Sequence, residues 1–312
     1  MGHELHDWPE NIETVEQLAN KGVIRPTDRY VYKKVTIEGE TYFYKEANQE
    51  DVGLMLDREF LWIDFMSDFE DAYPHIGVRA LRAYAYQNRK AIIAEFVEAP
   101  FVATPDTIAE VETVLDRYVE FLVTADTFGE HWRPFVELAA PETPYTQLDK
   151  RWDTWIEAAD LIGKGILLPE QLEEARRIVS DYQTVAEPRV QHGDFVPWHI
   201  FYNQGEWIVY DAEHAHYLMP RFYDLTYSYV RFFTRGQNKE LADTLLTKFI
   251  TKSGMDEATF FTKFAPILVS RSIGMLLDAE NDDQEVDYRQ NAQNLLKLAL
   301  SSKSIADLTL SK

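Results

Sequence analysis

The chain has 312 residues, 46% of them hydrophobic, and no cysteine, which excludes disulfides, thiolate metal sites and cysteine nucleophiles. Its 53 acidic against 31 basic side chains leave a formal net charge of −22, a field that repels nucleic acid and anionic membrane and favours cationic ligands. The opening MGHELHDWPENIE carries no basic or apolar leader, and no apolar run approaches the roughly 20 residues that span a bilayer, so a cytoplasmic monomer or homodimer is expected.

Residues 30–45, YVYKKVTIEGETYFYK, alternate as a hairpin, with Val31, Val35 and Ile37 before the turn at Gly39, then Thr41, Phe43 and Lys45. A helix follows, with Leu54, Leu61 and Phe65 on its period. Strands are predicted over 78–86 and 91–97, joined by the polar QNRK. Pro100 and Pro105 then punctuate the chain, and Thr104 or Asp106 caps a helix whose Ile108, Val111, Leu115, Tyr118 and Leu122 form one apolar stripe. Further helices are expected over 169–185, 239–252, 256–277 and 285–300, with a strand-rich interruption over 191–211. The order suits an α+β protein: a small N-terminal lobe, 1–97, with an antiparallel sheet and one helix, and a larger, mostly helical lobe, 98–312, hinged near Phe96.

The chemistry concentrates in QHGDFVPWHIFYNQGEWIVYDAEHA, residues 191–215. His192, Gly193 and Asp194 open a loop, a hairpin turns through residues 203–206, and Asp211 ends its second strand. Hairpin closure brings Asp194 and Asp211 together, and two converging carboxylates can serve as a base and a metal ligand, as phosphoryl transfer requires. A metal-dependent hydrolase built from His192, Asp194, His199 and Asp211 is a weaker reading, because it leaves Lys45 and Glu59 unexplained.

This constellation resembles the aminoglycoside phosphotransferases and the choline kinase-like small-molecule kinases, which share a protein-kinase-like fold. The resemblance covers about 200 residues, from Tyr30 to roughly Phe233, and rests on the agreement of several motifs in order. It implies that Asp194 is the base acting on the acceptor hydroxyl and that Asp211 holds Mg²⁺ against the phosphates, with Glu213 as a further acid beside it. Asp224, in PRFYDLTY, would brace the catalytic loop. Lys45 would contact the α- and β-phosphates and be held by Glu59. Asp57 and Glu46 compete for that lysine, but the first lies on another helix face and the second on the opposite face of the strand. The backbone of Glu95, Phe96 and Val97 would meet the nucleotide base.

Two departures stand out. Residues 22–30 hold one glycine, so backbone amides, or Arg25 and Arg29, would cover the phosphates in place of a glycine-rich loop. The metal-binding Asn of the family is His199 here. Imidazole suits Mn²⁺ or Zn²⁺ better than Mg²⁺. Either His199 binds a different metal, or Asp211 and Glu213 hold Mg²⁺ without it, or catalysis is impaired.

The expected activity is transfer of the γ-phosphoryl group of ATP or GTP to a hydroxyl of a small polar molecule. The alternative is a nucleotide-binding pseudokinase with a regulatory role. Six carboxylates over 278–287 suggest a cationic acceptor such as an amino-sugar or amino-alcohol, although such runs usually face water. Trp152, Trp155, Tyr223 and Tyr227 could wall the acceptor or simply fill the core. His75, His131, His214 and His216 read as solvated.

Overall fold

The computed structural model describes residues 5–18, 29–133, 147–180, 182, 186–281 and 286–310. Strand β1 (Glu13–Gln17), β2 (Tyr30–Ile37), β3 (Glu40–Ala47), β5 (Ala83–Gln87) and β6 (Ala91–Glu95) make an antiparallel sheet in the order β1-β2-β3-β6-β5. The β2–β3 turn carries Glu38 at φ +52° and Gly39 at φ +89°, the paired left-handed conformation of a tight hairpin. One sheet face buries Val35, Ile37, Ala85 and Ile93 against Trp8 and Ile12. The other packs Ile92 and Ala94 on Val52 and Leu56 of α1 (Glu50–Ala72).

Strand β4 (Val78–Ala80) does not join that sheet. It pairs in parallel with β9 (Glu206–Val209), which also forms a hairpin with β8 (Ile200–Asn203). The predicted strand over 78–86 therefore divides at Leu81 and Arg82. Val78, Arg79 and Ala80 are all buried, as are Trp207, Ile208 and Val209, and strands covered on both faces suit parallel pairing. The sheet thus joins chain from both expected lobes.

The remaining core is helical. A short 3₁₀ stretch (Pro105–Val114) leads into α2 (Leu115–Phe128), and the Thr104 amide donates to Thr107 Oγ1 at 3.0 Å, so Thr104 takes the capping position. Then come α3 (Trp152–Ala158), α4 (Pro169–Val179), β7 (Pro188–Gln191), β10 (His216–Pro220), α5 (Tyr223–Phe233), α6 (Lys239–Ser253), α7 (Glu257–Asn281), α8 (Val286–Ser301) and α9 (Ile305–Leu310). Strand β10, antiparallel to β7, and helices α3, α5 and α9 are not among the sequence expectations. The helix expected to reach 185 ends as α4 at Val179. Helix α7 is long and apolar enough to cross a membrane, yet most of it is buried inside the protein. The second half of α1, with Leu61, Trp62, Phe65 and Phe69, joins this large core.

Candidate active site

The loop after β7 is built to hold Asp194. Gly193 takes φ +85°, and a β-carbon there would lie 2.5 Å from the His214 carbonyl oxygen, so the turn needs glycine. Asp224, in the first turn of α5, accepts the His192 and Gly193 amides at 2.7 and 2.8 Å. Burial pushes its carboxyl up to about 7, against the pull of those two amides. His192 accepts the Asp194 amide on Nδ1 at 3.2 Å and donates from Nε2 to the Tyr210 carbonyl at 3.1 Å. Burial holds its imidazole neutral, down at about 4. Loop and hairpin end are thereby tied together one residue before Asp211.

Asp211 sits at φ +60°, a left-handed conformation that Asp tolerates better than most side chains and that often marks a functional position. Its Oδ1 is 3.5 Å from Lys45 Nζ, which lies 2.6 Å from Glu59 Oε2. Burial works against charge at Asp211, but Lys45, followed by His199, holds its carboxyl down at about 2. Burial likewise opposes the Lys45 ammonium, yet Glu59 and Asp211 keep it well above the usual lysine range. The competing acids are engaged elsewhere. Asp57 accepts Arg89 Nε at 2.8 Å and the Tyr86 hydroxyl, and Glu46 pairs with Lys33 at 3.2 Å.

His199 lies between the two aspartates. Its Nδ1 is 2.9 Å from the Asp194 carbonyl oxygen, which can only accept, so Nδ1 carries the proton and Nε2 presents its lone pair. That Nε2 is 3.8 Å from Asp211 Oδ2, a separation an ion could bridge. Burial pushes the Asp194 carboxyl up, but His199, Arg231 and His214 keep it below the usual carboxylate range. Glu213 has partners of its own, with its Oε1 3.1 Å from Arg29 Nη2 and 3.4 Å from His214 Nε2. Among the described residues no three acidic or histidine side chains converge as a ready-made metal cage. Asp211 and the His199 lone pair nonetheless fit an ion that takes its other ligands from phosphates and water. Arg25 lies outside the described residues.

At the hinge, the Glu95 carboxylate accepts the Arg82 amide at 2.8 Å and is forked by the Arg79 guanidinium. The Phe96 ring lies 4.4 Å from Lys34 Nζ, and the Val97 amide makes no backbone hydrogen bond among the described residues. Beside it Phe101, Phe201 and Tyr210 stack on one another, with Phe201 and Tyr210 centroids 4.6 Å apart. These rings are absent from the sequence expectations, although Phe201 and Tyr210 both belong to the recognised motif.

The four aromatic residues expected either to wall the acceptor or to fill the core divide into two groups. Trp152 is fully buried core, and Trp155 packs against that core. Tyr223 and Tyr227 instead meet Arg231 and Arg271, two residues that sequence reading misses. Asp278 is paired with Arg231 at 3.0 Å and Glu280 with Lys164 at 3.1 Å, while residues 282–285 lie outside the described residues. His75 and His131 are exposed and His214 is 42% exposed, but His216 is buried in β10, its Nδ1 accepting the Leu218 amide at 3.0 Å.

No family model matches the sequence, and none of the curated proteins does. Solved structures do match over nearly the whole length. An aminoglycoside phosphotransferase complexed with GDP and kanamycin superposes with a TM-score of 0.55 at 15% identity, covering 93% of both chains. Choline kinase from Streptococcus pneumoniae gives 0.54 at 15% identity, also over 93% of each. The chain has the aminoglycoside phosphotransferase–choline kinase fold. An ethanolamine kinase from Plasmodium vivax shares that fold at a TM-score of 0.56 and 13% identity, over 92% of this chain and 81% of its own. Lys45, Asp211, His199 and Asp194 meet between the β2–β3 hairpin, the end of the β8–β9 hairpin and the loop after β7.

Proposed function

We propose that the protein is a small-molecule kinase that moves the γ-phosphoryl group of ATP or GTP to a hydroxyl of a small polar acceptor. One observation carries the reading: a buried lysine from the β2–β3 hairpin, clamped by Glu59 at 2.6 Å, meets the hairpin-end Asp211 at 3.5 Å. Lys45 and Asp211 are separated by 166 positions, and a structural ion pair needs no third partner of the same kind. The solved relatives are complexed with GDP and kanamycin or named as choline and ethanolamine kinases, which favours the same reaction class here.

In this reading the Lys45 ammonium supports the α- and β-phosphates, and the open Val97 amide and the aromatic stack receive the base. Asp211 and His199 would hold a divalent ion, Mg²⁺ or Mn²⁺, which neutralises charge on the phosphates when bound. Asp194, its carboxyl held below the usual carboxylate range with Arg231 nearby, orients the acceptor hydroxyl and takes its proton. The acceptor oxygen forms a bond to the γ-phosphorus as the bond to the β–γ bridging oxygen breaks, and that electron pair leaves with ADP.

Asp194→Asn tests the assignment. Removal of a general base lowers the rate of ADP formation about 10²- to 10⁴-fold, while calorimetric titration shows ATP binding retained. An active variant would remove Asp194 from this role. The pseudokinase alternative is motivated by His199 in place of Asn. Titration of ATP with Mg²⁺ and with Mn²⁺, followed by turnover over an acceptor panel, separates the two: turnover with any acceptor excludes it.

A further inference from the structure

The acceptor side of Asp194 is rich in cationic groups, in a chain whose net charge is −22. Tyr223, Tyr227 and Arg231 repeat at four-residue spacing on α5 and meet Arg271 and Asp278 of α7. Arg231 has a carboxylate partner, although its Nε is buried without a hydrogen bond. It donates to the Tyr288 hydroxyl at 2.8 Å, the Tyr227 hydroxyl at 2.7 Å and Asp278 at 3.0 Å. Ser228, next to Tyr227 on the same helix, donates to the Phe195 carbonyl at 2.7 Å, which sets this stretch of α5 against the loop that carries the proposed base, and Arg231 and Tyr227 both help hold the Asp194 carboxyl below its usual range.

Arg271 differs in having no carboxylate partner: its Nε, like that of Arg231, is buried without a hydrogen bond, and its Nη1 reaches only the Tyr223 hydroxyl, at 3.2 Å. No carboxylate of the described residues pairs with it, because Asp278 is committed to Arg231. The guanidinium lies over the Tyr227 ring at 4.8 Å and near the Tyr223 ring at 5.7 Å. Beneath it, one turn on, is Gly274, where a β-carbon would be 3.4 Å from the guanidinium carbon. A sequestered cation lacking an anion is costly, and a helix evolved for packing alone would place an apolar residue there. The planar fork matches a carboxylate, which would accept two parallel N–H bonds.

We infer that Arg271, framed by Tyr223 and Tyr227, receives a carboxylate on the acceptor, so that the substrate is a small hydroxy acid and not an amine. The inference rests on the phosphotransferase reading for the word acceptor, but the anion site itself can be tested without turnover. Gluconate, glucitol and glucamine share one polyol chain and differ in carrying a carboxylate, a neutral or an ammonium end. With a non-hydrolysable ATP analogue present, calorimetry should show gluconate binding at least 10-fold more tightly than the other two, a preference of the size expected for one charge-assisted contact. Arg271→Gln should weaken gluconate about 10- to 100-fold, with Arg271→Lys restoring part of the loss.

Equal or reversed ranking, binding of none of the three at millimolar concentration, or an Arg271→Gln protein that binds gluconate like wild type overturns the inference. If Arg271→Gln does not fold, the wild-type ranking decides. Glycerate against glycerol 3-phosphate is the second arm, and a preference for the phosphate ester overturns the carboxylate assignment. Gluconate binding with no ADP release upholds the anion site while sinking the transfer reading. ADP release fastest with glucamine does the reverse.

Discussion

Lys45, 2% exposed, stands between two carboxylates, and its removal strands Glu59 in the interior. Breaking one side of a buried pair typically costs 3–5 kcal/mol, whereas replacing both partners by apolar residues is often neutral. Lys45→Met should therefore lower unfolding stability by about 3 kcal/mol or more in urea titration, and Lys45→Met with Glu59→Leu should recover most of the loss while ATP binding stays abolished. Asp224 offers a pH signature. Its carboxyl is pushed up to about 7 by burial, above the ordinary value, so the folded chain binds a proton there that the unfolded chain has released. Stability from this group is complete below roughly pH 4 and falls as pH rises through 7, by at most about 1.4 kcal/mol per unit. Asp224→Asn should flatten that part of the profile in denaturation measured from pH 4 to 8. Lys45, Glu59, Asp194 and Asp211 were readable because strand parity, helix phase and motif order each restrict a different residue. Arg231 and Arg271 were not, since an arginine on an amphipathic helix reads as surface until the neighbouring helix is known.

Among the elements, the short β4–β9 pairing positions the hairpin that ends in Asp211, and Arg117 of α2 fastens it. Arg117 donates to the carbonyls of Ile76, Gly77 and Gly205, the first at 2.9 Å and the last at 2.8 Å, and lies 4.8 Å over the Trp207 ring. Arg117→Ala should cost roughly 2–3 kcal/mol through lost charge-assisted bonds, and should slow ADP formation through displacement of Asp211 without changing the pH dependence of the rate. A stability loss with unaltered turnover would show that the hairpin holds its place unaided. The sequence marks the β8–β9 hairpin through its turn residues, but nothing local distinguishes β4 from β5. Both are short and apolar; β5 pairs with its chain neighbour β6, whereas β4 pairs with β9, more than a hundred positions away. The boundary expected at residues 97 and 98 is crossed by this pairing for the same reason.

For the molecule as a whole, two ion pairs tie the sheet region to the segment after β9: Lys45 to Asp211 at 3.5 Å, and Arg29 to Glu213 at 3.1 Å. A nucleotide inserted there binds the folded chain alone, so ATP with a divalent ion at 100 times its dissociation constant should add about 2.7 kcal/mol to unfolding stability. Thermal melts of wild type and of Lys45→Met check this, with the shift expected in the first and missing in the second. The acidic composition favours a cationic ligand, whereas the proposed anion site is built from arginines of α5 and α7. Net charge averages over the whole exterior, while recognition is decided by a handful of groups withdrawn from it.

The strand β4 has one more consequence. The sheet-bearing part of the chain is joined to the helical part in three ways: covalently at Val97, by the ladder between Val78–Ala80 and Trp207–Val209, and by the second half of α1, whose Leu61, Trp62, Phe65 and Phe69 lie in the helical core. Parting the two would mean undoing strand pairing and helix packing together, so the frame that brings Lys45 to Asp211 is braced by far more than its connecting segment.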